Sequence, residues 1–161
     1  MKLTGYGITT DLPAGWEGRI TKRATPAGDL GRTSAIGTPG EVPGPVVHLA
    51  NFALPEQRGD FGSGAVDLMG SGHVLLTLFE YGPESAGQAL FTRRGIPTLQ
   101  PRMFDPNGLQ HVIAGQAGCQ RFFTEGGRQF CLYAVIGRHA EAPALTAKAN
   151  ATLRATRIDP R

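Results

Sequence analysis

Residues 115–137 read GQAGCQRFFTEGGRQFCLYAVIG, with two β-rich runs on either side of Glu125-Gly126-Gly127. In the second run, apolar side chains occupy both alternating sets of positions, which is typical of a strand buried on both faces. The glycines between the runs can take the left-handed conformation that a tight loop needs. This pattern predicts a β-hairpin whose second strand lies inside a sheet.

A three-residue loop would fix the register of this hairpin. It places Phe122 opposite Phe130, an aromatic pair that contributes roughly 0.2–1 kcal/mol relative to two alanines. It also places Cys119 and Cys131 on one face as diagonal neighbours, a spacing that is long for a disulfide. We therefore expect two buried thiols, with a disulfide as the alternative if the loop has five residues.

A helix is predicted after the hairpin, over Ala144–Thr156. Leu145, Ala149 and Leu153 recur at the i, i+4, i+8 spacing of one helix face, and Pro143 suits the first turn of a helix. We expect this apolar face to pack on the sheet.

The rest of the chain predicts short elements and two irregular segments. His73–Tyr81 is almost continuously apolar, so a layer of structure is expected on each of its faces. The segment Ala24–Pro45 is rich in proline and glycine and predicts a long loop, which is typical of functional or disordered segments. Residues 93–107, which we call the strap, are expected to cross the surface without regular structure. The other predicted elements are strands at Ile8–Leu12, Trp16–Arg23, Val46–Leu54, Gly64–Met69 and Leu109–Ala114, and a short helix over 84–91.

Length and composition favour one domain. A chain of 161 residues with 40% hydrophobic content can bury one core but not two of comfortable size. We expect residues 1–161 to form a single α+β domain. Its twisted, mainly antiparallel sheet would have roughly six or seven strands, with the C-terminal helix packed on one face.

Charge and hydropathy exclude some partners. The net charge is +3, but basic and acidic residues alternate along most of the chain, which is unlike a surface specific for nucleic acid. We find no apolar run long enough for a signal peptide or a membrane span. These features predict a soluble, cytoplasmic protein.

No catalytic or metal-binding pattern stands out. The four histidines lack metal-site spacing, and His48 and His73 lie in predicted strands, where a strand-edge or hydrogen-bonded core histidine is more common than a ligand. No metal or other cofactor is expected. Gly62-Ser63-Gly64 and Gly70-Ser71-Gly72 lack the GxSxG and P-loop patterns and predict turns.

Three carboxylates are candidates for acid–base chemistry: Asp60, Asp67 and Glu80. Glu80 is the most interesting of them because it ends an apolar strand beside Tyr81. The alternative for Glu80 is an ion pair with an arginine, or solvent contact at the strand end.

The strap contains the candidate partner-binding residues. Arg93, Arg94, Arg102 and Phe104 belong to residue types that are enriched at protein interfaces, and the arginines could bind an acidic partner surface. The alternative is a solvated loop that two aromatic residues pin to the core.

The chain contains Asp11-Leu12-Pro13-Ala14-Gly15-Trp16, then the hairpin Gln120–Gly137, then the helix Ala144–Thr156. These residues and the order of elements resemble the PsbP-like α+β fold. Known members mostly act by docking to larger partners, so the resemblance implies a non-enzymatic binding or assembly module. It implies no particular functional residue in this chain.

Three functions therefore stay open. The first is an adaptor or accessory subunit whose protein partner contacts the Ala24–Pro45 loop or the strap. The second is a small-molecule or lipid-binding protein, or a hydrolase, with a pocket between helix and sheet. The third is a homo-oligomer that assembles through sheet edges.

Overall fold

The computed structural model describes residues 1–23 and 44–161, and the predicted loop at 24–45 lies outside these ranges except for its last two residues. The strands are β1 (Lys2–Gly5), β2 (Ile8–Asp11), β3 (Glu17–Lys22), β4 (Pro45–Ala50), β5 (Val74–Glu80), β6 (Ala117–Glu125), β7 (Arg128–Ile136) and β8 (Thr156–Ile158). The helices are α1 (Ser63–Val66) and α2 (Ala142–Arg154), and single 3-10 turns lie at Pro83–Ser85, Ala89–Phe91, Pro101–Met103 and His139–Glu141.

The described strands form two antiparallel sheets, with orders β1-β2-β8 and β3-β4-β5-β7-β6. The broad α+β class is confirmed, but the expectation of one continuous sheet is wrong. Every residue of β5 and β7 is buried, as their continuous apolar sequences predict for central strands. Two sheets form instead of one because β8, which was not predicted, pairs with β2 rather than with the larger sheet.

The hairpin of β6 and β7 exists, but its predicted register is wrong by one residue. Gly126 and Gly127 have φ values of 59° and 73°, so they alone form the loop, and Glu125 pairs with Arg128. Two left-handed residues match the twist of the flanking strands better than a longer loop does. Phe123 instead of Phe122 therefore pairs with Phe130, with stacked rings 5.5 Å apart between centroids.

The same register separates the cysteines. Cys119 packs in one core cluster and Cys131 in the other, so they lie on opposite faces of the sheet and not on one face as predicted. Both are buried and free, which confirms the expectation of two buried thiols.

One face of the five-stranded sheet, the first face, is covered by α2, by the smaller sheet and by the strap. Leu145, Ala149 and Leu153 of α2 are buried there, as the helical spacing predicts. The helix spans 142–154, so it begins two residues earlier than predicted, and its predicted last residue, Thr156, opens β8 instead. Leu99 and Phe104 of the strap complete this cluster.

The opposite face, the second face, is covered by residues 52–69 and by the segment that precedes β6. The predicted strand Gly64–Met69 is wrong, because this segment contains the short helix α1, which buries Ala65 and Val66. The predicted strand Leu109–Ala114 is also wrong, because the edge of β6 already pairs with the strap through Asp105 and Gly118. The layers on both faces confirm the expectation for the buried strand at 73–81.

The helix predicted over 84–91 is replaced by two 3-10 turns. Gly87, between them, has φ 79°, a left-handed conformation that a continuing right-handed helix does not contain. None of the helices in the described ranges is long and apolar enough to cross a membrane.

Candidate functional site

The strap is fixed to the edge of β6 and to α2. At its start, the Thr124 backbone N–H donates to the carbonyl oxygen of Arg93 at 2.8 Å, and the Gly95 N–H donates to the carbonyl oxygen of Thr124 at 2.9 Å. Further along, the Asn150 side chain makes two hydrogen bonds with the backbone of Leu99, each 2.8 Å long. These contacts hold an irregular segment in one position over the core.

The four predicted site residues differ in their exposure to solvent. Arg93, Arg94 and Arg102 have exposed side chains, so they are available to a partner. Phe104 is only 3% exposed and belongs to the first-face core. It therefore pins the strap to the core and does not present an interface surface.

A cleft of about 440 Å³ lies beside the strap. Its walls are strap residues 96–98, the last turn of α2, β8 with Asp159, and Glu125 at the end of β6. Its volume falls within the range of ligand-binding pockets, roughly 300–1,000 Å³. Because both β8 and strap residues line it, the cleft lies between the outer edge of β8 and the strap.

Four arginines lie in or beside this cleft. Arg154 and Arg157 line it, while Arg93 and Arg94 lie next to it, because their backbone pairs with Thr124 beside Glu125. Among the described residues, none of these four guanidinium groups forms an ion pair. With Glu125 and Asp159 counted against them, the region has an excess of two positive charges.

A smaller cavity of about 140 Å³ opens on the second face, beside Tyr133. The Tyr133 hydroxyl accepts a hydrogen bond from the Gln110 N–H at 3.2 Å, and no described residue accepts a hydrogen bond from this hydroxyl. Burial raises the pKa of this hydroxyl, so the proton is retained. Phe61 meets the Tyr133 ring edge-on at 5.9 Å and supplies an apolar wall.

Ser63, Asp67 and His111 line the same cavity. These are the residue types of a serine hydrolase, but no hydrogen bond joins any two of these side chains in the described structure. Nucleophilic catalysis needs a nucleophile within hydrogen-bond reach of its base. Here the three side chains supply polar groups to a cavity wall.

His48 is a buried, hydrogen-bonded core residue, as predicted. Arg58 Nε donates to its Nδ1 at 3.1 Å, so the ring proton is on Nε2, which donates to the Asp60 carbonyl oxygen at 2.9 Å. Burial, followed by the nearby Arg58 charge, lowers the pKa of His48 to about 4. Both ring nitrogens are occupied, and His48 is uncharged at neutral pH.

Glu80 takes the alternative that the sequence left open, an ion pair with arginine. Arg128 binds both of its carboxylate oxygens, and Arg161 adds a bond of 2.6 Å to Oε1. The carboxylate is 2% exposed. Glu80 therefore acts as a structural anion within this arginine cluster.

The remaining sequence candidates have local roles. His73 accepts a hydrogen bond from the Gly70 N–H and stacks on Phe52. Gly70-Ser71-Gly72 forms a turn as predicted, whereas Gly62-Ser63-Gly64 opens α1. Within residues 1–23 and 44–161, no three His, Cys, Asp or Glu side chains lie close enough to hold a metal ion.

Sequence reasoning missed the β8 wall of the cleft. Thr156-Arg157-Ile158 alternates buried and exposed side chains, which is the signal of a strand. An alternation over only three residues directly after a helix is too short to identify a strand. The helical pattern in the sequence also includes Thr156. The cleft, which depends on β8, was missed with it.

Comparison of the chain with protein-family models, with curated proteins and with solved structures found no match.

Proposed function

We propose that this chain is a non-enzymatic binding module that docks an acidic segment of a partner protein at the cleft and the start of the strap. The observation that carries this proposal is the group of four arginines in or beside the cleft, none of which forms an ion pair with another described residue. A guanidinium group can bind a carboxylate through two parallel hydrogen bonds. Arginines that make no ion pair with another described residue can make such bonds with another protein.

The arrangement favours an acidic protein segment over a nucleic acid. Glu125 and Asp159 lie among the arginines and would repel a continuous row of phosphates, whose charge dominates nucleic-acid binding. A protein segment can place its carboxylates opposite the arginines alone. The fixed strap also favours binding of a partner, because little conformational entropy is lost when a partner binds a rigid surface.

Charge reversal tests this proposal. The tagged protein would be used to capture partners from host lysate, and compared with the double variant Arg93→Glu/Arg94→Glu. The matched control is Arg19→Glu/Lys22→Glu, which makes the same charge change on β3, at the opposite edge of the five-stranded sheet.

The expected result is one protein that the wild type and the control variant retain and the strap variant loses. Its binding should weaken as salt concentration rises, because exposed charges are screened. Equal capture by the wild type and the strap variant would contradict the proposal.

A second candidate function is supported by the cavity beside Tyr133. A hydroxyl whose proton no described residue accepts, next to an apolar wall, suits a small molecule that has an apolar body and one hydrogen-bond acceptor. Thermal-shift screening with small amides, ketones and carboxylates tests this candidate. Tyr133→Phe is the matched control, because it keeps the ring and removes the hydroxyl; a hit that binds this variant equally well would exclude the site.

A further inference from the structure

The register of β8 shows which of its backbone groups are unpaired. The Asp11 N–H donates to the Ala155 carbonyl oxygen at 3.1 Å, and the Asp159 N–H donates to the Gly7 carbonyl oxygen at 2.8 Å. Bonded positions alternate along an antiparallel pair, so the residue midway between these bonds, Arg157, turns its N–H and C=O toward β2.

The neighbours of Arg157 turn their backbone groups the other way. Thr156 and Ile158 direct their N–H and C=O groups away from β2, toward the cleft that they line. No described residue forms a backbone hydrogen bond with these groups on that side. An edge of this kind is a template on which a further strand can pair.

The opposite wall does not complete a ladder with such a strand. Pro97 has no N–H to donate, and the N–H and C=O of Leu99 are bound to Asn150. A strand in the cleft would pair with β8 over about three residues, or 10 Å at 3.3 Å per residue.

The side chains of β8 define the sequence pattern that fits. Arg157 projects outward and is exposed, whereas Thr156 and Ile158 point toward the core. In paired strands, directly opposite residues share a face. The occupant should therefore alternate acidic residues, beside Arg157, with apolar residues, beside Ile158 and Leu153.

We propose that the partner segment binds in an extended conformation as an added strand on the free edge of β8, with alternating acidic and apolar residues. This inference rests on the proposed function and adds its binding mode. Backbone hydrogen bonds would provide affinity, and the arginines would select the acidic residues.

Capped heptapeptides of alternating glutamate and valine provide the probe. We expect binding of the peptide to slow amide hydrogen exchange at Thr156 and Ile158 by about tenfold or more, because each amide gains a hydrogen bond. Exchange at Arg157, which is already bonded to β2, should not change. N-methylation of one alternate set of peptide amides should weaken binding about tenfold, and methylation of the other set should not.

A protein variant with the charge at position 157 reversed provides a second test. Arg157→Glu keeps the exposed position and should prefer a lysine–valine peptide to the glutamate–valine peptide. Failure of the glutamate–valine peptide to bind at millimolar concentration, or binding without protection of Thr156 and Ile158, would overturn the inference. The proposed function would survive that result if charge reversal at Arg93 and Arg94 still abolished partner capture, and would fail with it if capture were unchanged.

Discussion

Arg128 and Glu80 form a buried bidentate ion pair, with Nε 3.0 Å from Oε1 and Nη2 2.7 Å from Oε2. The same guanidinium donates to the carbonyl oxygens of Tyr6 and Asp159, at 2.9 and 3.2 Å. It therefore connects the five-stranded sheet, to which Glu80 and Arg128 belong, with the turn and the tail that flank the smaller sheet.

Removing the charge of Glu80 should destabilise the protein strongly. Glu80→Gln leaves the buried Arg128 without its anion, and loss of one partner from a buried pair typically costs about 3–5 kcal/mol. Arg161→Ala is the control, because it removes an exposed partner of the same carboxylate and should cost no more than about 1 kcal/mol. Urea denaturation of the two variants measures both free energies; equal losses would contradict this account.

His48 should make stability depend on pH. Its pKa of about 4 in the folded protein lies below the ordinary value of 6.5, so between these values the unfolded chain binds more protons. The neutral histidine's contribution is complete above pH 6.5 and is lost as pH falls toward 4. The loss is on the order of 3 kcal/mol.

Carboxylates also titrate in this range, so the wild type must be compared with a variant. His48→Gln keeps a hydrogen-bonding side chain and does not titrate. Denaturation free energies measured from pH 7 to pH 4 should fall more steeply for the wild type. Parallel curves would show that His48 does not titrate as described.

The cysteines should not react in the folded protein. Burial raises the pKa of Cys119 to about 11 and that of Cys131 to about 12, so at pH 8 no more than about one thiol in a thousand is ionised. Labelling with a thiol-disulfide reagent should be slow in buffer and rapid for two thiols in denaturant. Rapid labelling of either thiol in the native protein would contradict the structure.

Substitution of the two glycines in the hairpin loop should destabilise the protein to different degrees. Gly127→Ala places a side chain in open space, so its cost is the left-handed conformation alone, roughly 1–2 kcal/mol. At Gly126, the added Cβ would also lie 3.0 Å from Pro160 Cα, so Gly126→Ala should lower the melting temperature further. The reverse order would exclude the two-residue loop.

The sequence predicted the interior of this fold better than its edges. β5 and β7 were predictable because continuous apolar runs have few other solutions. The face of α2 was predictable because Leu145, Ala149 and Leu153 repeat at the helical period. These signals depend on many residues within one element.

The features that were predicted wrongly or not at all depend on single residues or on contacts between distant segments. Whether Glu125 belongs to the loop or to β6 shifts the whole hairpin register by one position, and glycine patterns allow both. β8 is a strand only because β2 pairs with it. The cleft could not be predicted, because its walls come from three separate segments of the chain that no local pattern relates.

The pairing of β2 with β8 also has a consequence for biosynthesis. Ile8 pairs with Ile158, so the first strands emerge from the ribosome long before the strand that completes their sheet. At about 5–20 residues per second, this interval lasts on the order of ten seconds. A two-stranded hairpin is at best marginally stable alone, so β1 and β2 would remain accessible to chaperones and proteases during most of the chain's synthesis.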